Sequence, residues 1–226
     1  MTDHTIETLK GQFDALHAER VRTWNPAQLE RNIEQRRQLV EAFDPDKVVK
    51  VGDRIAPFEL EDSQGSPLSL AELATSGPAV LVFFRFAGCP ACNLALPYYD
   101  RTLRPALDAL GARLVAVSPH LPEKGLDEIR ERHQLGFRVA SDRNNELARR
   151  FGISFARGEV PEGQPTPGWI GELTGTDTAE LPQPAVIVVG RDGIVQFVDV
   201  SPDWLDRTET PEILAALDQP AAKAAA

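Results

Sequence analysis

Apolar positions along the first forty residues recur at steps of three and four. From about Thr5 to Arg22, Ile6, Leu9, Phe13 and Leu16 fall on one side of a helix, because an α-helix returns to the same face at that spacing. Asn25-Pro26 then reads as an N-cap followed by a proline at the first helical position, with Gln28 where a capping box puts its partner. A second helix is predicted to about Phe43, carrying Leu29, Ile33, Val40 and Phe43 inward. One apolar face does not say whose core it joins, so this pair reads either as an arm packed on the body or as a dimerisation element.

Phe43-Asp44-Pro45-Asp46 ends the helical pattern, and the stretch "VGDRIAPFELEDSQGSPLSLAEL" alternates short apolar runs with turn residues, clearest at Gln64-Gly65-Ser66-Pro67. Ala79 to Phe86 is an apolar run, broken only by Arg85 near its end, rich in Val and Phe, too short for a buried helix and suited to a central strand. A helix from Cys89 to about Leu110 follows. Then come the strand "ARLVAVS", the helix "EKGLDEIRERHQL", the strand "FRVAS" and a short helix through Leu147 and Phe151. Strands alternating with helices imply parallel pairing through crossovers. The close differs: "AVIVVG", the turn Arg191-Asp192-Gly193 and "IVQFVDV" predict an antiparallel hairpin, and Thr210-Pro211 starts a last helix through Ile213, Leu214 and Leu217. The implied organisation is an arm over 1–46, one α/β domain over 47–218 with a loop insertion at 155–181, and a tail at 219–226. Trp169 lies in that insertion, where it either packs the loop down or meets a substrate.

Composition narrows the classes. A length of 226 with 42% hydrophobic residues supports one substantial core. The formal charge of −10 repels a phosphate backbone, so nucleic acid is not an expected partner. No apolar run reaches the roughly 18–20 residues that span a bilayer, and "MTDHTIETLKGQF" lacks the basic-then-apolar pattern of a leader. The expectation is a soluble, cytoplasmic chain without a membrane partner.

Both cysteines of the chain, Cys89 and Cys92, sit three apart where the central strand gives way to a helix. Cys89 at the N-cap with Pro90 after it would face free backbone N–H groups and the positive end of the helix dipole. Such sites favour thiolate, the form that attacks peroxide or disulfide sulfur. Cys92, one turn further in, would resolve what forms on Cys89. Arg85 either holds a positive charge near the sulfur or is a surface arginine at the strand end. A structural zinc needs four ligands, and no second Cys pair is present; His120 and His133 are also wrongly spaced. Two inert buried thiols are the remaining alternative.

The segments "GDRIAPFELEDSQGSPLSL", "LVFFRFAGCPACN", "LVAVSP", "VASDRNNELARRFGI", "LPQPAVIVVGRDGIVQFV" and "DVSPDWLDRTETPEILAAL" resemble the thioredoxin-like superfamily, in particular the peroxiredoxin-like redoxins of the alkyl hydroperoxide reductase and thiol-specific antioxidant group. The resemblance implies an α/β thioredoxin-like fold, a central mixed sheet flanked by helices with the N-terminal arm appended. It implies that Pro184 is the cis-proline facing the cysteines, that Gln183 offers a backbone edge to an extended substrate, and that Pro97 kinks the active-site helix. Departures from the family pattern are Phe86 in place of a Thr or Ser three before the first Cys, Val82 in place of a Pro, Phe83 in place of thioredoxin's buried acid, and Gly88 in place of an aromatic. Without a hydroxyl, Phe86 does not orient peroxide oxygens.

The implied function is a thiol-dependent oxidoreductase needing no bound cofactor or metal. Cys89 attacks a peroxide, Cys92 closes the intramolecular disulfide, and a thioredoxin-type or other thiol donor restores both. A protein disulfide reductase, and a redox-sensing interaction protein that uses the arm to hold a partner, are the alternatives.

Overall fold

The computed structural model describes residues 8–156 and 168–218. Two helices come first, α1 (Leu9–Thr23) and α2 (Pro26–Ala42). A hairpin of β1 (Glu59–Asp62) and β2 (Pro67–Ser69) leads through the short α3 (Leu70–Leu73) to β3 (Ala79–Phe83). Next, α4 (Pro90–Thr102) and α5 (Arg104–Ala109) cross to β4 (Arg113–Ser118), and α6 (Asp127–His133) crosses to β5 (Arg138–Ser141). The chain continues with α7 (Glu146–Arg150), β6 (Ser154–Ala156), α8 (Ile170–Thr174), β7 (Glu180–Pro182), β8 (Ala185–Val189), β9 (Val195–Val200) and α9 (Thr210–Leu217).

Seven strands form one mixed sheet in the order β2-β1-β5-β4-β3-β8-β9. β3, β4 and β5 run parallel because a helical crossover separates each pair, while the hairpins β1/β2 and β8/β9 and the β3/β8 and β1/β5 contacts are antiparallel. β3 is central and wholly buried. Its side-chain alternation divides the core: Val80 and Val82 join α4 and the arm's Leu9 and Phe13, whereas Ala79, Leu81 and Phe83 join Leu147 and Phe151 on the opposite face. No helix among the described residues is long and apolar enough to cross a membrane.

Several elements differ from their sequence pattern. The long helix after Cys89 breaks at Leu103 into α4 and α5, because Pro105 has no N–H to continue the α4 ladder. The helix predicted from Glu123 begins only at Asp127, since Gly125 takes a left-handed φ of 91° and ends a 3₁₀ turn there. The insertion at 155–181 contains structure: β6 pairs with β7, and α8 lies between them. Residues 157–167, the predicted tail at 219–226 and Ile6 lie outside the described residues.

The arm shows the largest correction. Leu9 and Phe13 are buried as predicted, but no residue of α2 is buried, and Ile33 and Val40 are 41% and 50% exposed. Leu29 and Phe43 are half-buried as expected, and Asn32, Arg36 and Leu39 take the inward places of Ile33 and Val40. The helix is rotated because Arg36 is drawn inward, pairing with Asp203 at 3.0 Å and lying 5.9 Å from the Trp204 ring. Asn25 does cap α2, accepting from the Ala27 N–H at 2.9 Å, with no reciprocal Gln28 side-chain bond.

Candidate active site

After β3 the chain turns through Phe84 to Gly88 and enters α4 with Cys89 at the N-cap and Pro90 in the first turn. A proline is tolerated there because its missing N–H would have no intrahelical partner. The turn is pinned from three elements. The Phe84 N–H donates to the Val117 carbonyl at 2.9 Å, and the Ser118 hydroxyl donates to the Arg85 carbonyl at 3.1 Å. The Ala87 N–H donates to His120 Nδ1 at 3.2 Å, while His120 Nε2 donates to the Lys124 carbonyl at 2.9 Å. That pattern requires the neutral imidazole, and burial holds its pKa below the ordinary value. Asn93 ties the same turn to α6: its amide donates to the Ala87 and Cys89 carbonyls at 2.8 and 2.9 Å, and its Oδ1 accepts from Arg132 and His133 at 2.9 and 2.7 Å.

Both cysteines are reduced and buried, Cys89 1% and Cys92 0% exposed. Cys89 nevertheless lies between the exposed Gly88 and Pro90, one layer beneath the surface. Its sulfur makes no capping hydrogen bond, so the predicted cradle of helix N–H groups is not what governs its charge. The neighbouring Cys92 matters more: interaction with it, together with burial, raises the Cys89 pKa well above the ordinary thiol value, against the smaller pull of Arg85 and Arg207. Burial opposes ionisation of Cys92 too, but the contact with Cys89, the Arg207 charge and the Arg85 backbone N–H bring it down to about 5. The two shifts run in opposite senses: Arg207 and the contact with Cys89 favour the Cys92 thiolate, while burial and the contact with Cys92 disfavour that of Cys89.

Arg85 is not a surface arginine: it is buried, and its guanidinium carbon lies 5.1 Å from the Trp204 ring centroid. Sequence reasoning passed over Arg207, whose Nη2 approaches Cys92 Sγ at 3.7 Å, and Trp204 itself. Arg207 follows Trp204 by three positions in the acidic stretch "PDWLDRTE", and its 115-residue separation from Cys92 leaves no local signal of their contact.

Pro184 corrects another expectation. Every described peptide bond is trans, including that preceding Pro184. The backbone there is already engaged, with the Gln183 N–H donating to the Ile153 carbonyl at 2.6 Å and the Pro184 carbonyl accepting from Ser201 at 2.7 Å. The chain runs extended from β7 into β8, so Gln183 has no N–H to offer an extended substrate. Trp169 packs on its own turn: a Cβ added to Gly171 would lie 2.5 Å from the Trp169 ring. Phe83 is buried against Phe151 edge to face at 5.6 Å, and Phe86 is half-buried over Gly88, so neither position carries a polar group toward the sulfurs.

The pattern of the AhpC/TSA family matches residues 51–198. A Mycobacterium tuberculosis protein named as a peroxiredoxin is 30% identical over 106 residues, 46% of this chain and 67% of the relative. The thiol-disulfide oxidoreductase ResA of Halalkalibacterium halodurans is 28% identical over 108 residues, 47% of this chain and 58% of ResA. Among solved structures, the peroxidoxin BcpB of Mycobacterium tuberculosis superposes with a TM-score of 0.59 at 24% identity, over 75% of this chain and 96% of that one. A peroxiredoxin-like protein from Aquifex aeolicus gives 0.57 at 18% identity, over 75% and 86%. These likenesses show the thioredoxin-like fold of the peroxiredoxins.

Proposed function

The chain belongs to the AhpC/TSA family and is an oxidoreductase of thiol-dependent redox chemistry, and on that footing we propose that it reduces peroxides through Cys89 and Cys92. The observation that carries this reading is a pair of reduced cysteines at the start of α4, with the Arg207 guanidinium 3.7 Å from the Cys92 sulfur. A thiol is a poor nucleophile, so the proton of Cys89 must leave as it attacks, and the Cys92 thiolate is its acceptor. Cys89 sulfur then bonds the distal peroxide oxygen, the O–O bond breaks, and the alkoxide leaves as an alcohol with the proton held on Cys92. Cys92, again a thiolate, attacks the Cys89 sulfenic acid; the S–S bond forms and the oxygen departs as water with a solvent proton. Two equivalents of an external thiol, or one dithiol of the thioredoxin type, return the electrons. Both sulfurs are covered, so attack on a substrate requires Cys89 to be reached past the exposed Gly88 and Pro90 that flank it.

Disulfide reduction is the second reading, favoured by the similarity to ResA and by Phe86, which supplies no hydroxyl for a peroxide. A redox sensor with the same pair would stop after one oxidation. Steady-state turnover of hydrogen peroxide, an organic hydroperoxide and a protein disulfide with one common donor separates the three. Catalytic consumption of a hydroperoxide is expected. Cys89→Ser should abolish it, and Cys92→Ser, which removes the proton acceptor as well as the resolving thiol, should oxidise more slowly and leave a species heavier by one oxygen on Cys89 in intact mass. A single stoichiometric oxidation under every donor would sink the enzyme reading, and oxygen trapped on Cys92 in Cys89→Ser would reverse the two roles.

A further inference from the structure

Four guanidinium groups converge beside the cysteine pair. Arg20 of α1, Arg36 of α2 and Arg85 place their central carbons 5.1, 5.9 and 5.1 Å from the centroid of the Trp204 ring. Arg207 Nε donates to the Trp204 carbonyl at 3.1 Å on its way to Cys92. Arg20, Arg85 and Arg207 are 4%, 5% and 8% exposed, so their charges are largely stripped of water. Among the described residues, the carboxylate paired with any of the four is Asp203, on Arg36. Arg20 Nη1, Arg36 Nε, Arg85 Nε and Trp204 Nε1 are buried donors with no acceptor. Buried cations need counter-charge and buried donors need acceptors, and this cluster is short of both. It is also assembled outside the family core: Arg20, Arg36, Trp204 and Arg207 all fall beyond the matched 51–198.

We propose that Arg20, Arg36 and Arg85 around Trp204 form an anion subsite, which holds the carboxylate of a small organic substrate while its reacting group meets Cys89. Guanidinium forks match carboxylates in two parallel hydrogen bonds, and removing a ligand carboxylate from water is offset where several such donors await it. The reacting group rests on the peroxide reading above. The preferred substrate is then a carboxylate-bearing organic hydroperoxide, whose O–O bond breaks as its distal oxygen passes to Cys89 and its alkoxide leaves as the alcohol. The carboxylate itself exchanges no electrons. The arm thereby supplies specificity to the site.

Tryptophan fluorescence of the reduced protein, titrated with glutarate and in parallel with neutral glutaramide, tests binding without turnover. A saturable response to glutarate alone is expected, vanishing in Trp204→Phe and about tenfold weaker in Arg20→Met. Arg36→Met, at the half-buried position, gives the same comparison should Arg20→Met not fold. In turnover, a tertiary hydroperoxide ending in a carboxylate should show about tenfold higher kcat/KM than its methyl ester. Glutarate binding with no turnover of either hydroperoxide would keep the subsite and remove the peroxide reading. Equal kcat/KM for acid and ester, with no glutarate response, would overturn the subsite and leave that reading standing.

Discussion

Arg207 favours the charged form of the second sulfur. Its Nη2 lies 3.7 Å from Cys92, and both its charge and its hydrogen bond favour the thiolate against the cost of burial. Replacing it with methionine removes those contributions and leaves the burial cost. Thiolate absorbance at 240 nm, followed against pH, should therefore show a midpoint near 5 in the wild type and a clearly higher one in Arg207→Met. An unchanged midpoint would mean that Cys89 and the Arg85 backbone suffice. That Cys89 and Cys92 stand together at the junction of a buried strand and a helix was legible from their spacing and from the apolar run before them. Which sulfur carries the charge was not legible, since it depends on donors brought in from distant parts of the chain.

At the scale of elements, the arm is fastened at its start by a residue from the far end of the chain. Glu209, the N-cap of α9, accepts from the Leu9 and Lys10 N–H groups at 3.2 and 3.0 Å and from the Tyr98 hydroxyl at 2.7 Å. A carboxylate suits the positive end of α1, and it joins that helix to α4. Glu209→Ala should cost about 1–2 kcal/mol by denaturant titration and speed hydrogen exchange in α1 before other helices; uniform exchange would show that the arm is held by Leu9 and Phe13 alone. The joint between arm and sheet depends on Gly152, whose φ is +70° and where a Cβ would lie 2.0 Å from the Lys47 carbonyl oxygen. The obstacle is backbone rather than a yielding side chain, so Gly152→Ala should destabilise by about 2–4 kcal/mol. Existence and type of the strands of the seven-stranded sheet were readable from apolar runs and turn residues, whereas β6 and β7 fall in and beside the stretch read as a loop. The rotation of α2 was not, because the charged Arg36 turns inward to Trp204 and Asp203, a choice that hydrophobic periodicity does not encode.

For the whole molecule, the ionisation of the pair couples folding to redox state. Cys92 has a folded pKa below its unfolded value, so its stabilisation is complete above the ordinary thiol range and is lost as pH falls toward 5. Cys89 has a raised folded pKa, so its contribution is present below that range and lost as pH rises beyond it. Between about pH 5 and the ordinary thiol pKa the reduced protein should gain stability with rising pH. Oxidation removes the thiolate that faces Arg85 and Arg207, and closing so short a loop restrains the unfolded chain little. The Tm of the reduced protein should thus exceed that of the oxidised protein at pH 7.5, with the gap narrowing toward pH 5. Equal values at both pH would show that the thiolate is not a source of stability.

What the sequence determined by itself was the ordering of strands and helices, the parallel crossovers and the hairpin, and the two sulfurs at the strand-to-helix junction. Those follow from side-chain periodicity and from turn chemistry, which act between near neighbours. Only the tertiary structure decided that Arg20, Arg36, Arg85 and Arg207 meet at Trp204. It also decided that Arg207 lies against Cys92, and that the Gln183 N–H is already bonded to Ile153. Electrostatics and burial act between residues far apart in the chain, so their balance exists only once the chain has closed on itself.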